Sequence, residues 1–258
     1  MSLTTFSKFY FGHTVTNLNG SIDFDEGAGE LQATLNPGDY SLEEYVSEIK
    51  RAMDDVGGQA YSVSLDRTTR FITIAATSNF TLRALTGTRI GTGAWSMMGF
   101  TTVANFTGTN TYTGTLGSGS EYLAQSLLVD HVDAEDFVEK TDATVNESAS
   151  GRVQVVTFGT TSFIQFTMRF ATNKVINPCQ TSIETQTNGV ANLRTFMNYI
   201  VTKAKFEFIP NRAVATSFYK VILESTEKSR QGTAFQLEEL KDAPGYFSSG
   251  KLVLRVVT

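Results

Sequence analysis

One stretch of the chain has the spacing of an α-helix, and it stands among segments with the spacing of β-strands. Between residues 41 and 56 the apolar residues recur at steps of three and one, which places them on a single helix face. Ser41 and Glu44 have the spacing of a capping box, in which each side chain accepts a hydrogen bond from the other's backbone amide. Gly57 and Gly58 indicate a left-handed C-terminal stop. This pattern predicts a helix over residues 41–56.

The segments on both sides of this helix alternate apolar and polar residues, as β-strands do. Residues 20–24 and 30–35 form two short segments of this kind before the helix. Residues 61–75 follow it and are typical of a β-hairpin, with a polar turn at residues 66–69. The order strand, strand, helix, strand, strand predicts a small α+β sandwich.

A glycine- and serine-rich stretch at residues 114–120 is the most linker-like part of the chain. The net charge changes sign beyond it, from −6 over residues 125–147 to +6 over residues 148–258. We therefore predict two domains, residues 1–120 and residues 121–258.

The second domain is rich in strand-like segments. Residues 152–158 and 162–170 flank Gly159 and predict a hairpin, and residues 189–202 predict one helix. Further strand-like segments are residues 205–209, 217–224 and 251–257, with 232–240 as a fourth strand or a short arm. The expected fold class is α+β and mainly β, with a β-sandwich or barrel and one flanking helix in this half.

Composition limits the classes of function. Hydrophobic residues make up 41% of the 258 residues and charged residues 18%, which supports a folded core. The net charge of −5 argues against general binding to nucleic acids or anionic membranes. One cysteine excludes an intrachain disulfide, and two histidines leave little room for catalysis or metal binding. We expect a protein without enzymatic activity, cofactor, signal peptide or membrane span, made in a cytosol.

The acidic run at residues 130–139 is the one charged cluster with a candidate role. Asp130, Asp133 and Asp136 could assemble a divalent-cation site beside His131, and a solvated acidic face is the alternative. We interpret the run as an electrostatic assembly surface that pairs with the basic region of the same chain or of a neighbouring copy. The residues expected to carry this interface are Asp130, Asp133, Glu135, Asp136, Arg152 and Arg169.

Two groups of motifs resemble known families. The segments at 36–45, 61–74, 80–82 and 98–100, which read NPGDYSLEEY, YSVSLDRTTRFITI, FTL and MGF, resemble an α+β module of virion structural proteins. The later segments resemble the tube-fold proteins of tailed bacteriophages, which include distal tail and tail-tube proteins. Those segments are residues 149–156, 163–170, 192–200, 206–210, 218–224 and 244–252.

The resemblance implies a structural subunit of a phage tail, most closely a distal tail or baseplate protein. Such proteins form hexameric rings with other tail proteins around a channel through which DNA passes, and no catalytic residue carries over. A tail-tube, adaptor or connector subunit is an alternative within this class. A second class is a host receptor- or glycan-binding virion module, which an exposed aromatic cluster of Trp95, Phe100 and Tyr112 would favour. A further alternative is an enzyme such as a cell-wall hydrolase, which would need a pair of carboxylates in a cleft.

Overall fold

The computed structural model describes residues 8–123, 132–147, 153–168, 171–172, 190–201, 205–210, 214–226 and 237–257. The chain is α+β and mainly β, as predicted from the sequence. It divides into two compact units. The first unit consists of Phe9–Tyr122 and Lys205–Phe218, and the second unit of Met1–Lys8, Leu123–Ala204 and Tyr219–Thr258.

The division between the units follows tertiary contacts that the sequence pattern does not contain. The predicted boundary between residues 120 and 121 is close to the change of unit after Tyr122. The segment Lys205–Phe218, which the prediction assigned to the second domain, belongs to the first compact unit. Its Phe206, Phe208 and Ile209 are fully buried there. Hydrophobic periodicity shows that a segment is buried, but it does not show which core receives it.

The first unit contains most of the short strands and one helix. In chain order its early elements are β1 (Lys8–Phe11), β2 (His13–Val15), β3 (Ser21–Asp25), β4 (Glu30–Thr34), β5 (Gly38–Tyr40), α1 (Leu42–Val56), β6 (Tyr61–Leu65), β7 (Ile72–Leu82), β8 (Phe106–Thr113) and β9 (Ser120–Leu123). One sheet has the order β4-β3-β7-β6, with β8 also paired to β7, and β2 pairs with β5. The predicted hairpin of residues 61–75 is confirmed as β6 and β7.

Helix α1 begins and buries its apolar face as predicted. The Ser41 hydroxyl accepts a hydrogen bond from the Glu44 amide, and the Glu44 carboxylate accepts one from the Ser41 amide at 3.1 Å. The helix packs against β4 and β6. Its end differs from the prediction, because Gly57 is extended (φ −76°) rather than left-handed. Glycine is needed there for space, since a Cβ would lie 2.7 Å from the Tyr61 ring.

The core of the first unit is rich in aromatic side chains. The rings of Phe24, Tyr61, Phe80 and Tyr112 form a chain of edge-to-face contacts with centroids 5.0–5.5 Å apart. Trp95 packs into the same cluster with 2% of its surface exposed. Edge-to-face contacts add specific geometry to the large apolar area that aromatic residues bury. The four rings therefore join strands β3, β6, β7 and β8, and Trp95 packs the chain between β7 and β8 into the same core.

The second unit is built on long antiparallel strands. Its elements are β10 (Val132–Glu147), β11 (Val153–Met168), β12 (Ala171–Thr172), α2 (Val190–Val201), β14 (Tyr219–Thr226), β15 (Glu238–Leu240), β16 (Ala243–Ser248) and β17 (Lys251–Val256), while β13 (Phe206–Ile209) belongs to the first unit. The main sheet has the order β10-β11-β17-β14, and a small sheet has the order β12-β16-β15. In the first unit, the order β13-β1-β9 forms a further group of strands.

Alternate residues of the main sheet in the second unit are buried. Ile164, Phe166 and Met168 of β11 are buried together with residues of β14 and β17, and the residues between them are partly exposed. Helix α2 covers residues 190–201, close to the predicted 189–202, and buries Phe196, Met197 and Ile200. Among the described residues, no helix is both long and apolar enough to cross a membrane.

The hairpin predicted around Gly159 is wrong. Residues 153–168 form one continuous strand, β11, whose partner over its whole length is β10. Asp142 pairs with Gly159 and Ala143 with Thr157, so Phe158 is an extra residue and the strand has a β-bulge there. Gly159 has a φ of 148°, a backbone conformation that residues with a side chain rarely adopt, so glycine is required at this position. A glycine between two strand-like segments fits either a turn or a bulge. Which of the two forms depends on whether another strand, here β10, pairs with both segments.

Candidate assembly interface

Three of the six predicted interface residues lie on strand β10, and three lie outside the described residues. Asp133, Glu135 and Asp136 are on β10, with Asp133 opposite Thr167 and Asp136 opposite Gln165 of β11. Asp130, Arg152 and Arg169 are outside the described residues. The predicted pairing of this acidic run with basic residues therefore stays a prediction.

The proposed cation site of Asp130, Asp133 and Asp136 is also only partly described, because Asp130 and His131 fall outside the described ranges. Asp133 and Asp136 are separated by a register irregularity in β10. Within the described part of the chain, no three His, Cys, Asp or Glu residues are placed to hold a metal ion.

Strands β10 and β11 extend beyond the rest of their sheet as a two-stranded ribbon. Each strand has 16 residues, but β17 pairs only with Phe163–Thr167 of β11. We define the ribbon as residues 139–147 of β10 with residues 153–162 of β11, which pair from Glu139 opposite Ser162 to Glu147 opposite Val153. Nine residues of antiparallel strand span about 30 Å. Among the described strands, the ribbon is therefore a long projection with two strand edges.

Strand β10 is the outer strand of this sheet and carries all the charged residues of β10 and β11. It contains six acidic residues and one lysine, Lys140. Glu139 and Lys140 are exposed, and Val138 has 38% of its surface exposed. An edge strand presents unpaired backbone groups to other strands, and charged side chains restrict which strands can pair with it. The edge of β10 is thus suited to a partner that is basic or that carries few charges.

The most deeply buried charge of the first unit is paired with other groups of the same unit. The carboxylate of Glu207 on β13 is fully buried, forms an ion pair with Arg67, and accepts a hydrogen bond of 2.9 Å from the Glu43 amide at the start of α1. Arg67 also donates to the Ala215 carbonyl at 2.7 Å, and its guanidinium lies 3.7 Å from the centre of the Phe218 ring. Burial raises the pKa of Glu207, and the neighbouring Arg67 opposes this effect.

A second polar cluster of the first unit places a histidine beside a serine. His13 Nε2 lies 2.9 Å from Ser118 Oγ and accepts a hydrogen bond of 3.0 Å from the Gly119 amide. Ser118 is fully buried and its hydroxyl is also within 2.7 Å of the Met97 carbonyl. Burial lowers the pKa of His13 to about 4, so the ring is neutral at pH 7.

This pair has the atoms of a nucleophile and a base, but the surrounding contacts serve packing. A catalytic serine needs access to substrate, whereas Ser118 has no exposed surface. The His13 ring also packs 4.6 Å from the ring of Tyr45 in α1. The sequence does not reveal this cluster, because His13 and Ser118 are 105 residues apart and neither lies in a motif. The contacts fix strand β2 to the chain just before β9.

The aromatic cluster that would have favoured glycan binding is not exposed. Trp95 and Phe100 each have 2% of their surface exposed and Tyr112 has 6%. The Tyr112 hydroxyl donates to the Phe80 carbonyl at 2.6 Å, which satisfies its polar atom inside the core. These three residues form part of the core of the first unit rather than a platform for sugar rings.

The most conspicuous surface feature of the described chain is therefore the ribbon with its acidic outer strand. A scan of the chain against protein-family models and a search among curated proteins give no match.

Proposed function

We propose that this protein is a structural subunit of a tailed-phage virion that assembles with copies of itself, as a ring of the distal tail or baseplate around the DNA channel. The observation that carries the proposal is the ribbon, which continues about 30 Å beyond the strand β17 that anchors its base. The motif resemblance described above supplies the phage tail as the setting.

Among the described strands, β10 and β11 pair only with each other along the ribbon, and an isolated two-stranded ribbon has little stability of its own in water. The ribbon becomes better stabilised when a second protein surface covers it. A partner that is always present at high local concentration is another copy of the same chain. The ribbon therefore supports a function in which copies hold one another.

A ring requires contacts between two different surfaces of each copy. A long projection suits such a contact, because it reaches a part of the neighbour that differs from the projection itself. Six copies are the number that the resemblance to tube-fold proteins implies. A tail-tube, adaptor or connector subunit would assemble through the same kind of contact and would differ in its neighbours along the tail.

The test is the mass of the purified chain by light scattering, with negative-stain images of the same fractions. We expect rings of about six copies. A matched variant joins Thr141 to Thr160, which are paired across the ribbon, through an Asn-Gly turn and so removes the outer ribbon. This variant keeps the residues that pair with β17, and we expect it to remain folded and monomeric.

A full chain that forms no rings at any soluble concentration would contradict the proposal, and a shortened variant that forms the same rings as the full chain would show that the ribbon does not hold the copies together. A full chain that stays monomeric at every soluble concentration and binds defined glycans would instead support the receptor-binding alternative.

A further inference from the structure

An open depression of about 350 Å³ lies at the base of the ribbon, within the second unit. Its lining residues are Thr160, Thr161, Ser162, Arg255, Val256 and Val257. The first three are on β11, where the ribbon leaves the sheet, and the last three are at the end of β17. The depression thus forms where β17 ends beside the continuing strand β11.

One cation lines this depression, and two lysines are on the strands beside it. Arg255 lines it directly and is exposed. Lys140 pairs with Thr161 from the β10 side, and the Lys220 carbonyl accepts a 2.9 Å hydrogen bond from the Val257 amide on the β14 side. Neighbouring strands are about 5 Å apart, so each lysine backbone is one strand away from the lining residues.

The lining contains three hydroxyl groups and no carboxylate. On β10, Glu139 pairs with Ser162 of the lining, and its side chain is on the opposite face of the ribbon from that of Lys140, which pairs with Thr161. A guanidinium presents parallel N–H groups whose geometry matches a carboxylate, and hydroxyl groups add further donors. The depression therefore has the chemistry of a carboxylate receptor.

The ribbon itself has acidic residues in its sequence. Asp142 and Glu147 lie on its β10 strand, two and seven residues beyond Lys140. At about 3.4 Å per residue, Glu147 is about 24 Å along the ribbon from the depression. The outer end of the acidic strand, at Glu147, and the depression are thus two different surfaces of one copy, as a contact in a closed ring requires.

We propose that the depression at the ribbon base is the receptor for the acidic strand of the ribbon of a neighbouring copy, with Arg255 binding a carboxylate of Asp142 or Glu147. This inference rests on the proposed function and names the contact through which the copies associate. The argument for this occupant is the charge complementarity between Arg255, with Lys140 and Lys220 on the flanking strands, and the carboxylates of β10 in a second copy.

The experiment uses two variants of the full chain, one with the charge of the depression reversed at Arg255 and one with the charge of the ribbon reversed at Asp142 and Glu147. Self-association of each variant is measured by light scattering at low salt. We expect Arg255→Glu to weaken association about tenfold or more, and Asp142→Arg with Glu147→Arg to have a similar effect. Arg194→Glu is the matched control, because Arg194 is an exposed arginine of α2 in the same unit and its reversal changes the net charge equally. The control should associate within about twofold of the natural chain, since distant surface charges are screened.

Mixing the Arg255→Glu chain with the chain that carries both acid reversals should restore association, since each interface then joins opposite charges. The inference is wrong if Arg255→Glu associates like the natural chain, if Arg194→Glu weakens association equally, or if the mixture does not recover.

The outcomes separate this inference from the proposed function. Rings that persist with Arg255→Glu would overturn the receptor and leave the ring proposal standing. Association that depends on Arg255 but gives no rings would support the receptor and contradict the ring. A natural chain that never self-associates would overturn both. Binding of duplex DNA that Arg255→Glu abolishes, with unchanged self-association, would assign the depression to phosphates and overturn the inference.

Discussion

The two units of the chain use charge in opposite ways. In the first unit the buried charges are paired internally, as Glu207 is with Arg67 and as Asp23, 2% exposed, is with Arg89. In the second unit the charges of β10 follow an edge strand that extends away from its sheet. Buried pairs stabilise one arrangement of a chain because neither partner can be lost without leaving an uncompensated charge. Charges along an edge have little effect on folding and determine which surface can approach.

The largest effect that this comparison predicts concerns the buried pair of the first unit. Arg67→Met leaves the fully buried Glu207 carboxylate without its counterion, and we expect a loss of about 3–5 kcal/mol in the free energy of unfolding, measured by urea denaturation. Adding Glu207→Leu removes the orphaned charge and should recover much of this loss. If Arg67→Met costs no more than an exposed substitution such as Arg194→Met, the first unit does not depend on the pair.

An intermediate effect concerns His13 and pH. Its pKa is lowered to about 4, so between pH 6.5 and pH 4 the unfolded chain binds more protons than the folded chain. Stability from this group is therefore full above pH 6.5 and is lost as the pH falls, by about 2 kcal/mol between pH 7 and pH 5. The measurement is the free energy of unfolding at several pH values.

His13→Gln is the control for this pH effect, because it removes the titrating group. We expect its stability to be nearly constant between pH 7 and pH 5. An equal loss in the variant and in the natural chain would show that other groups cause the dependence.

The smallest effect on stability belongs to the edge strand of the second unit. Glu139→Gln removes an exposed charge from β10, and we expect a change of less than about 0.5 kcal/mol in the free energy of unfolding. If this variant destabilises the chain as much as Arg67→Met does, the contrast between internal and edge charges is wrong.

Local chemistry was sufficient to predict several elements. The capping box and apolar stripe predicted α1, and the alternation of residues 61–75 predicted β6 and β7. In each case the interactions that form the element lie within it or within its nearest neighbours in sequence. The predicted mainly β class follows in the same way from many short alternating segments.

The errors and omissions occurred where a distant segment decides the outcome. Residues 153–168 contain a glycine that allows a turn, and only pairing with the 16 residues of β10 makes it a bulge in one strand. From the sequence we interpret the acidic run as an assembly surface, with a solvated acidic face as the alternative, and only the fold shows that residues 132–139 of this run belong to the outer strand of a sheet. The contacts of Glu207 with Arg67 and of His13 with Ser118 join residues more than 100 positions apart.

The amino-acid sequence by itself determined the helices, the distribution of charge along the chain and about half of the shorter strands, because these depend on spacing and composition over a few residues. The strands that it indicated are β3, β4, β6, β7, β13, β14 and β17. The tertiary structure alone decided that residues 205–218 complete the first unit, that the aromatic residues around Trp95 are core, and that a ribbon projects from the second unit. The physical reason is that burial and strand pairing depend on which surfaces meet, and that depends on the whole chain.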